Sequence, residues 1–208
     1  MNPNNKKLFL RKASPQDSDI VCLLIYEGSK PSFDFNYTLK DATPLEFIKY
    51  CFKSGKGFFG YKKQTICILN EKIVFTATSY KGTEFRRLAI QTIQLSYKYH
   101  GWINATKILI RSLRISHLFI EPQKESIYLA NICTDINFRG TGIFKYYFNT
   151  LTDTIKSEPL AQIELDVSYD NENALNVYKK LGFKITENRD YIRKDKKFTG
   201  TRRMEYIF

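Results

Sequence analysis

The run Asn137-Phe138-Arg139-Gly140-Thr141-Gly142-Ile143-Phe144 constrains this chain more than any other stretch. It follows an apolar, strand-like segment from Ile127 to Thr134. It precedes Tyr146, Tyr147, Leu151 and Ile155, which recur at helical spacing. Glycines let a backbone turn sharply and come close to a ligand. The first N–H groups of a helix have no partner inside it. A phosphate satisfies those donors and meets the positive end of the helix dipole. The segment therefore reads as a phosphate or pyrophosphate cradle, although an ordinary tight turn uses glycine in the same way. It lacks the third glycine of a dinucleotide fingerprint, and no Lys-Ser or Lys-Thr follows Gly142 as in a Walker A loop.

A second block lies downstream. Leu165-Asp166-Val167 is followed by Asn171-Glu172-Asn173-Ala174-Leu175-Asn176-Val177-Tyr178-Lys179-Lys180-Leu181-Gly182-Phe183. Together the two blocks resemble the GNAT superfamily of acetyl-CoA-dependent N-acetyltransferases. The coenzyme loop of that family reads Gln or Arg, two residues, Gly, one residue, then Gly or Ala. Arg139, Gly142 and Phe144 stand at the first, fourth and sixth places. Asn171, Ala174, Tyr178 and Leu181-Gly182-Phe183 match the family's next element. Phe144 departs from the pattern, because the family has a small residue there. Its ring either crowds the pyrophosphate or turns toward the core.

The resemblance implies an α+β fold. A mixed central sheet of about six or seven strands is flanked by helices, and residues 1–208 form a single domain. The pattern along the chain agrees. Leu8 to Lys12 is a first strand. Ser14-Pro15-Gln16-Asp17 opens a helix through Ile20, Leu23, Leu24 and Tyr26 that breaks near Gly28. Thr43-Pro44-Leu45-Glu46 opens a second helix, with Glu46 placed for a capping box, that ends near Gly55. Residues 65–69 and 72–78 flank Asn70-Glu71 as a hairpin. Residues 83–120 form a helical insertion between the third and fourth strands, broken near His100-Gly101-Trp102. Residues 161–167 form a strand, Asn173 to Leu181 a helix, and 183–185 and 201–208 two closing strands. Arg193 to Lys197 is an exposed loop between the last two.

Composition narrows the classes. A hydrophobic fraction of 43% and an aromatic fraction of 15% exclude a disordered chain. No apolar run reaches membrane-spanning length, and no membrane is expected among the partners. The segment from Met1 to Lys7 lacks the apolar stretch of a secretory signal. Cys22, Cys51, Cys67 and Cys133 are scattered among apolar neighbours, as buried free thiols of a reducing compartment are, so a cytoplasmic location is expected. No metal-ligand spacing is present. The net charge of +12 suits a coenzyme that carries several phosphates. The basic residues are spread along the chain without an RNA-binding motif, so nucleic acid is not expected as a partner.

Acetyl transfer needs a neutral amine, a donor for the developing oxyanion and a proton for the departing thiolate. The resemblance assigns these tasks, with acetyl-CoA as cosubstrate and no metal. Backbone of Ile132, Cys133 and Thr134 would pair with the pantetheine arm. The N–H groups of Gly140, Thr141, Gly142, Ile143, Phe144 and Lys145 would hold the pyrophosphate, with Arg139 bordering it. Asn171 would bind the coenzyme, and Tyr178 would protonate the leaving sulfur. Asp166 is either a general base or a solvent-facing strand residue. The segment Tyr26 to Tyr37 is the expected acceptor side. There Glu27, Phe33 and Asp34 would hold a cationic amine, small or on a protein, by ion pairing and cation–π contact. The insertion is either a solvated outer face, a cover over the acceptor groove or a homodimer surface.

Overall fold

The computed structural model describes residues 8–191 and 199–208. The expected loop from Arg193 to Lys197 and the segment Met1 to Lys7 lie outside those residues. The elements in chain order are β1 (Leu8–Lys12), α1 (Ser18–Gly28), α2 (Lys30–Tyr37), α3 (Pro44–Ser54), β2 (Gln64–Leu69), β3 (Lys72–Lys81), α4 (Phe85–Ile115), β4 (Ser126–Thr134), α5 (Ile143–Ile155), β5 (Gln162–Ser168), α6 (Glu172–Lys180), β6 (Lys184–Asp190) and β7 (Gly200–Ile207). Among the described residues seven strands form one mixed sheet in the order β1-β2-β3-β4-β5-β7-β6, in which only β4 and β5 pair in parallel.

Local chemistry explains several boundaries. At α3 the Glu46 N–H donates to Thr43 Oγ1 at 3.3 Å, and the Thr43 N–H donates to the Glu46 carboxylate at 3.0 Å. Gly55, at φ 68°, ends the helix in the left-handed conformation. Asn70 and Glu71 both have positive φ, 49° and 67°, as a two-residue turn matched to strand twist requires. Gly101, at φ 71° and ψ 172°, breaks α4 into two helices where the sequence places the break.

Three elements differ from expectation. Residues 30–37 form a helix, with Pro31 in its first turn and Phe33 and Tyr37, one turn apart, both buried. The Arg111 guanidinium closes this helix by donating to the carbonyls of Thr38 at 2.8 Å and Asn36 at 3.4 Å. In α1 the core face is Val21, Cys22, Leu24 and Ile25, whereas Ile20 and Leu23 are exposed. Strand β6 runs to Asp190, well past Ile185.

The core has two main parts, one on each face of the sheet. Cys67, Leu129, Ile163, Leu165 and Val167 pack with α5 and α6. Ile66 and Ile68 pack with α1, α2, α3 and α4. The four cysteines are buried free thiols. Among the described residues no helix is long and apolar enough to cross a membrane.

Strand β5 turns Glu164 and Asp166 to the face opposite its apolar residues, and both side chains are only 2% exposed. The Arg203 guanidinium of β7 donates to Asp166 at 2.8 and 3.1 Å and also to Glu164. Arg189 of β6 donates to Asp166 at 3.0 Å, and the Tyr128 hydroxyl of β4 at 2.7 Å. The same guanidinium groups donate to the carbonyls of Ile120 at 2.7 Å and Leu118 at 3.3 Å, which fastens the chain leaving α4 to the sheet. Burial disfavours the charge on Arg203, but Asp166 first among its neighbours outweighs that and raises its pKa. Removing one partner strands the other charges inside the protein. Arg203→Ala is therefore expected to cost about 3–5 kcal/mol, read from urea unfolding curves. A loss under about 1 kcal/mol would show that the cluster does not hold these strands together.

Candidate active site

Strands β4 and β5 pair only from Ser126 to Leu129 against Gln162 to Leu165. Beyond Leu129, β4 stays with β3 as far as Thr134, whereas β5 stays with β7 as far as Ser168. The two strands therefore splay apart. The cause lies in β4. Asn131 sits at φ 48°, and the register against β3 shifts between Thr76 and Thr78. Such a bulge bends its strand and increases its twist. Asn tolerates this conformation better than its β-branched neighbours, and the Asn131 amide donates to Thr78 Oγ1 at 2.9 Å. An asparagine inside an apolar strand was the available signal for this residue. The splay leaves backbone of Ile132, Cys133 and Thr134 on an edge with no β5 partner.

That edge leads into the glycine loop. Gly140 and Gly142 have φ of 77° and 85°, which side chains rarely adopt, and no atom lies within 4 Å of where a Cβ would stand on either. The loop is held from behind. The Arg139 guanidinium donates to the Thr134 carbonyl at 3.2 Å, the Thr141 hydroxyl to the Phe138 carbonyl at 2.6 Å, and the Asn137 N–H to Asp135 at 2.9 Å. Helix α5 begins at Ile143 behind a glycine N-cap, which brings no side chain to cap it. Its first N–H groups, Ile143 to Lys145, thus have no side-chain cap, at the positive end of the helix dipole. This geometry fits a diphosphate. Phe144 turns away from it into the core, with ring centroids 5.2 Å from Tyr178, 6.2 Å from Tyr147 and 6.3 Å from Phe75.

Tyr178 projects from α6 beside this loop. Burial pushes its phenol well above the usual range, so it is protonated at neutral pH. Among the described residues its hydroxyl has no hydrogen-bond partner, yet it is not one of the fully enclosed unsatisfied atoms. Cys133 of the open edge lies within its electrostatic reach. Burial pushes the Cys133 thiol up to about 11, which keeps it neutral. Asn171 caps α6, its Oδ1 accepting from the Ala174 N–H at 3.1 Å.

The acceptor side reaches the same edge. A Cβ on Gly28, at the end of α1, would stand 3.2 Å from Cys133 Cβ and 3.4 Å from the Ile132 carbonyl oxygen. Glycine permits that approach, and Glu27 beside it is exposed and contributes to the field at Cys133. The other two expected contacts are engaged elsewhere. Phe33 is a core residue packed on Phe59 at 5.4 Å. Asp34 pairs with Lys30 and accepts from the Tyr26 hydroxyl at 2.6 Å. Asp166 is neither solvent-facing nor open to an incoming amine, because both its oxygens serve the ion cluster of β5, β6 and β7. Alternation along a strand gives a residue's face but not what covers that face. Among the described residues no group of three His, Cys, Asp or Glu side chains is placed to hold a metal.

Comparison with known proteins agrees with this architecture. The acetyltransferase (GNAT) family model matches residues 75–183, from β3 to the end of the α6 block. A search of curated protein sequences finds no match. Solved structures share the fold at low identity. An N-acetyltransferase from Staphylococcus aureus Mu50 is 19% identical with a TM-score of 0.68, over 95% of this chain and 100% of that one. The ribosomal-protein-S18-alanine N-acetyltransferase from Escherichia coli is 13% identical with a TM-score of 0.53, over 96% of this chain and 93% of that one. A chimeric spermidine N-acetyltransferase from Vibrio cholerae is 12% identical with a TM-score of 0.54, over 97% of this chain and 95% of that one. With more than half of its length matched by the family model, in the same segment that carries the open strand edge and the glycine loop, the chain belongs to the GNAT acetyltransferase family.

Proposed function

We propose that this protein transfers the acetyl group of acetyl-CoA to a primary amine by direct attack on the thioester. One observation carries the proposal: a strand edge without a neighbour runs straight into an uncapped helix N-terminus, with a protonated phenol beside both. In this reading the loop N–H groups and Arg139 hold the diphosphate, and the NH2 of Asn171 remains for the coenzyme. Backbone of Ile132 to Thr134 aligns the pantetheine arm along the splay. Tyr178 gives its proton to the departing sulfur. A neutral, buried Cys133 is a poor nucleophile, which favours direct transfer over an acyl-cysteine.

Glu27 is the carboxylate left to attract a cationic acceptor, since Lys30 already neutralises Asp34. Relatives of this fold include enzymes named for a protein alanine and for spermidine, so both small and protein amines belong in the trial set. With Asp166 committed to its ion pairs, proton removal from the amine falls to water at the open edge. The alternative is a GNAT-fold sensor that binds coenzyme without turnover. A ring crowding the pyrophosphate would favour that alternative, whereas Phe144 packs inward against Tyr178. Release of free thiol from acetyl-CoA, measured against a panel of amines and peptides, separates the two.

Acetyl-CoA is expected to raise the melting midpoint, because a ligand bound only by the native state stabilises it by mass action. Gly142→Asp places a carboxylate and a strained φ in the cradle, and is expected to abolish that shift. Normal binding by this variant would move the cradle elsewhere. Tyr178→Phe keeps the packing and removes the proton donor, so turnover is expected to fall about a hundredfold while coenzyme affinity holds. An unchanged turnover number would remove Tyr178 from the chemistry. Phe144→Ala is expected to cost about 3–5 kcal/mol of stability without tightening coenzyme binding. Tighter binding at near-normal stability, by calorimetry and melting, would show that the ring crowds the site.

A further inference from the structure

The second half of α4 carries two apolar faces. Ala105, Ile108 and Ile115 are buried against the rest of the protein. Trp102, Ile103, Leu113 and Ile110 are 81%, 75%, 62% and 47% exposed. At about 100° per residue, these four fall within one arc of roughly 100°. That is the width of stripe by which a helix normally docks on a core. The polar residue inside the arc, Thr106, donates its hydroxyl to the Trp102 carbonyl at 2.8 Å, so it needs no outside partner. The Trp102 ring rests edge-on against Tyr97, with centroids 4.9 Å apart, and is held outward just after the Gly101 break.

The charges around the arc have one sign. Lys107 and Arg114 border it, and Lys98 precedes the break. All three are exposed and free of ion pairs among the described residues. No Asp or Glu occurs between Glu84 and Glu121. We propose that this face docks on an anionic lipid surface, with α4 lying in the plane of the headgroups. An apolar arc with a tryptophan at one edge, and Arg114 and Lys107 just beyond Ile103 at the other, fits a helix lying in an anionic interface. The long basic side chains cover apolar surface with their stems and reach phosphates with their heads. A second copy of the chain is disfavoured. A two-fold contact would set Lys107 and Arg114 against the same residues, with no carboxylate on the arc to answer them. Docking of this kind needs no spanning segment, so it is compatible with the absence of one among the described helices.

Trp102 is the only tryptophan in the chain, so its emission reports on this face alone. The full-length protein is titrated with vesicles of phosphatidylcholine containing about one-third phosphatidylserine, and with vesicles of phosphatidylcholine only. Blue-shifted emission and co-sedimentation are expected with the anionic vesicles, weakening as salt is raised. Lys107→Gln with Arg114→Gln keeps the reporter and is expected to lower the partition coefficient roughly fivefold for each charge removed. Ile103→Ser with Leu113→Ser is expected to lower it at least about tenfold, at an unchanged melting midpoint. Unchanged emission with anionic vesicles overturns the proposal and leaves the face to a protein partner. Equal binding to neutral vesicles also overturns it. So does a lipid-free blue shift that grows with protein concentration and vanishes in the Leu113 variant, which would assign the face to a second copy.

Discussion

Parallel pairing between β4 and β5 stops at Leu129 and Leu165, and the candidate site is built on that stop. A sheet that stayed zipped would have no free edge for a ligand and no room between the strand ends. The split persists because each strand has a stronger commitment elsewhere. The Asn131 bulge bends β4 along β3. The cluster of Arg203, Asp166, Glu164 and Arg189 binds β5 to β7 and β6. Buried charges are an expensive way to join strands, and an apolar replacement often joins them as well. Here the cluster also satisfies the carbonyls of Leu118 and Ile120, which ties the return from α4 to the same half of the sheet.

The glycine loop and Phe144 divide the labour at the start of α5. The glycines make backbone conformations that side chains resist and leave the outer surface clear. The phenylalanine fills the space beneath the loop and touches Tyr178, so the loop and the proposed acid share one aromatic support. A small residue at position 144 would leave that space to something else. The departure from the family pattern is thus a difference in how the floor is packed.

How much was legible from sequence follows from the range of each interaction. The caps of α3, the Asn70-Glu71 turn, the break at Gly101 and the glycine loop depend on neighbours within a few residues. Those neighbours can be read directly. Residues 30–37 were harder, because Phe33 and Tyr37 make that segment a helix by docking on Phe59 and Phe47, and Arg111 closes its end from 73 residues away. Asp166 illustrates the limit for charges. Its alternation with Leu165 and Val167 places it on the second face of β5, but Arg203 and Arg189 arrive from later strands. The apolar spacing of α4 likewise did not distinguish Ile108, which is buried, from Ile103 and Leu113, which are not.

By itself the sequence determined the class of fold, the order of its main elements apart from the helix at 30–37, and the glycine loop with Tyr178 beside it. These rest on backbone conformations that only certain residues adopt and on motifs whose parts lie close together along the chain. Tertiary structure alone decided which carboxylates are free. It buried Asp166 under two guanidinium groups, paired Asp34 with Lys30 and left Glu27 exposed next to the open edge. It also decided which side of α4 meets the core. A side chain's charge and polarity are local properties, whereas its partner and its exposure are set by whatever the rest of the chain brings within a few ångströms.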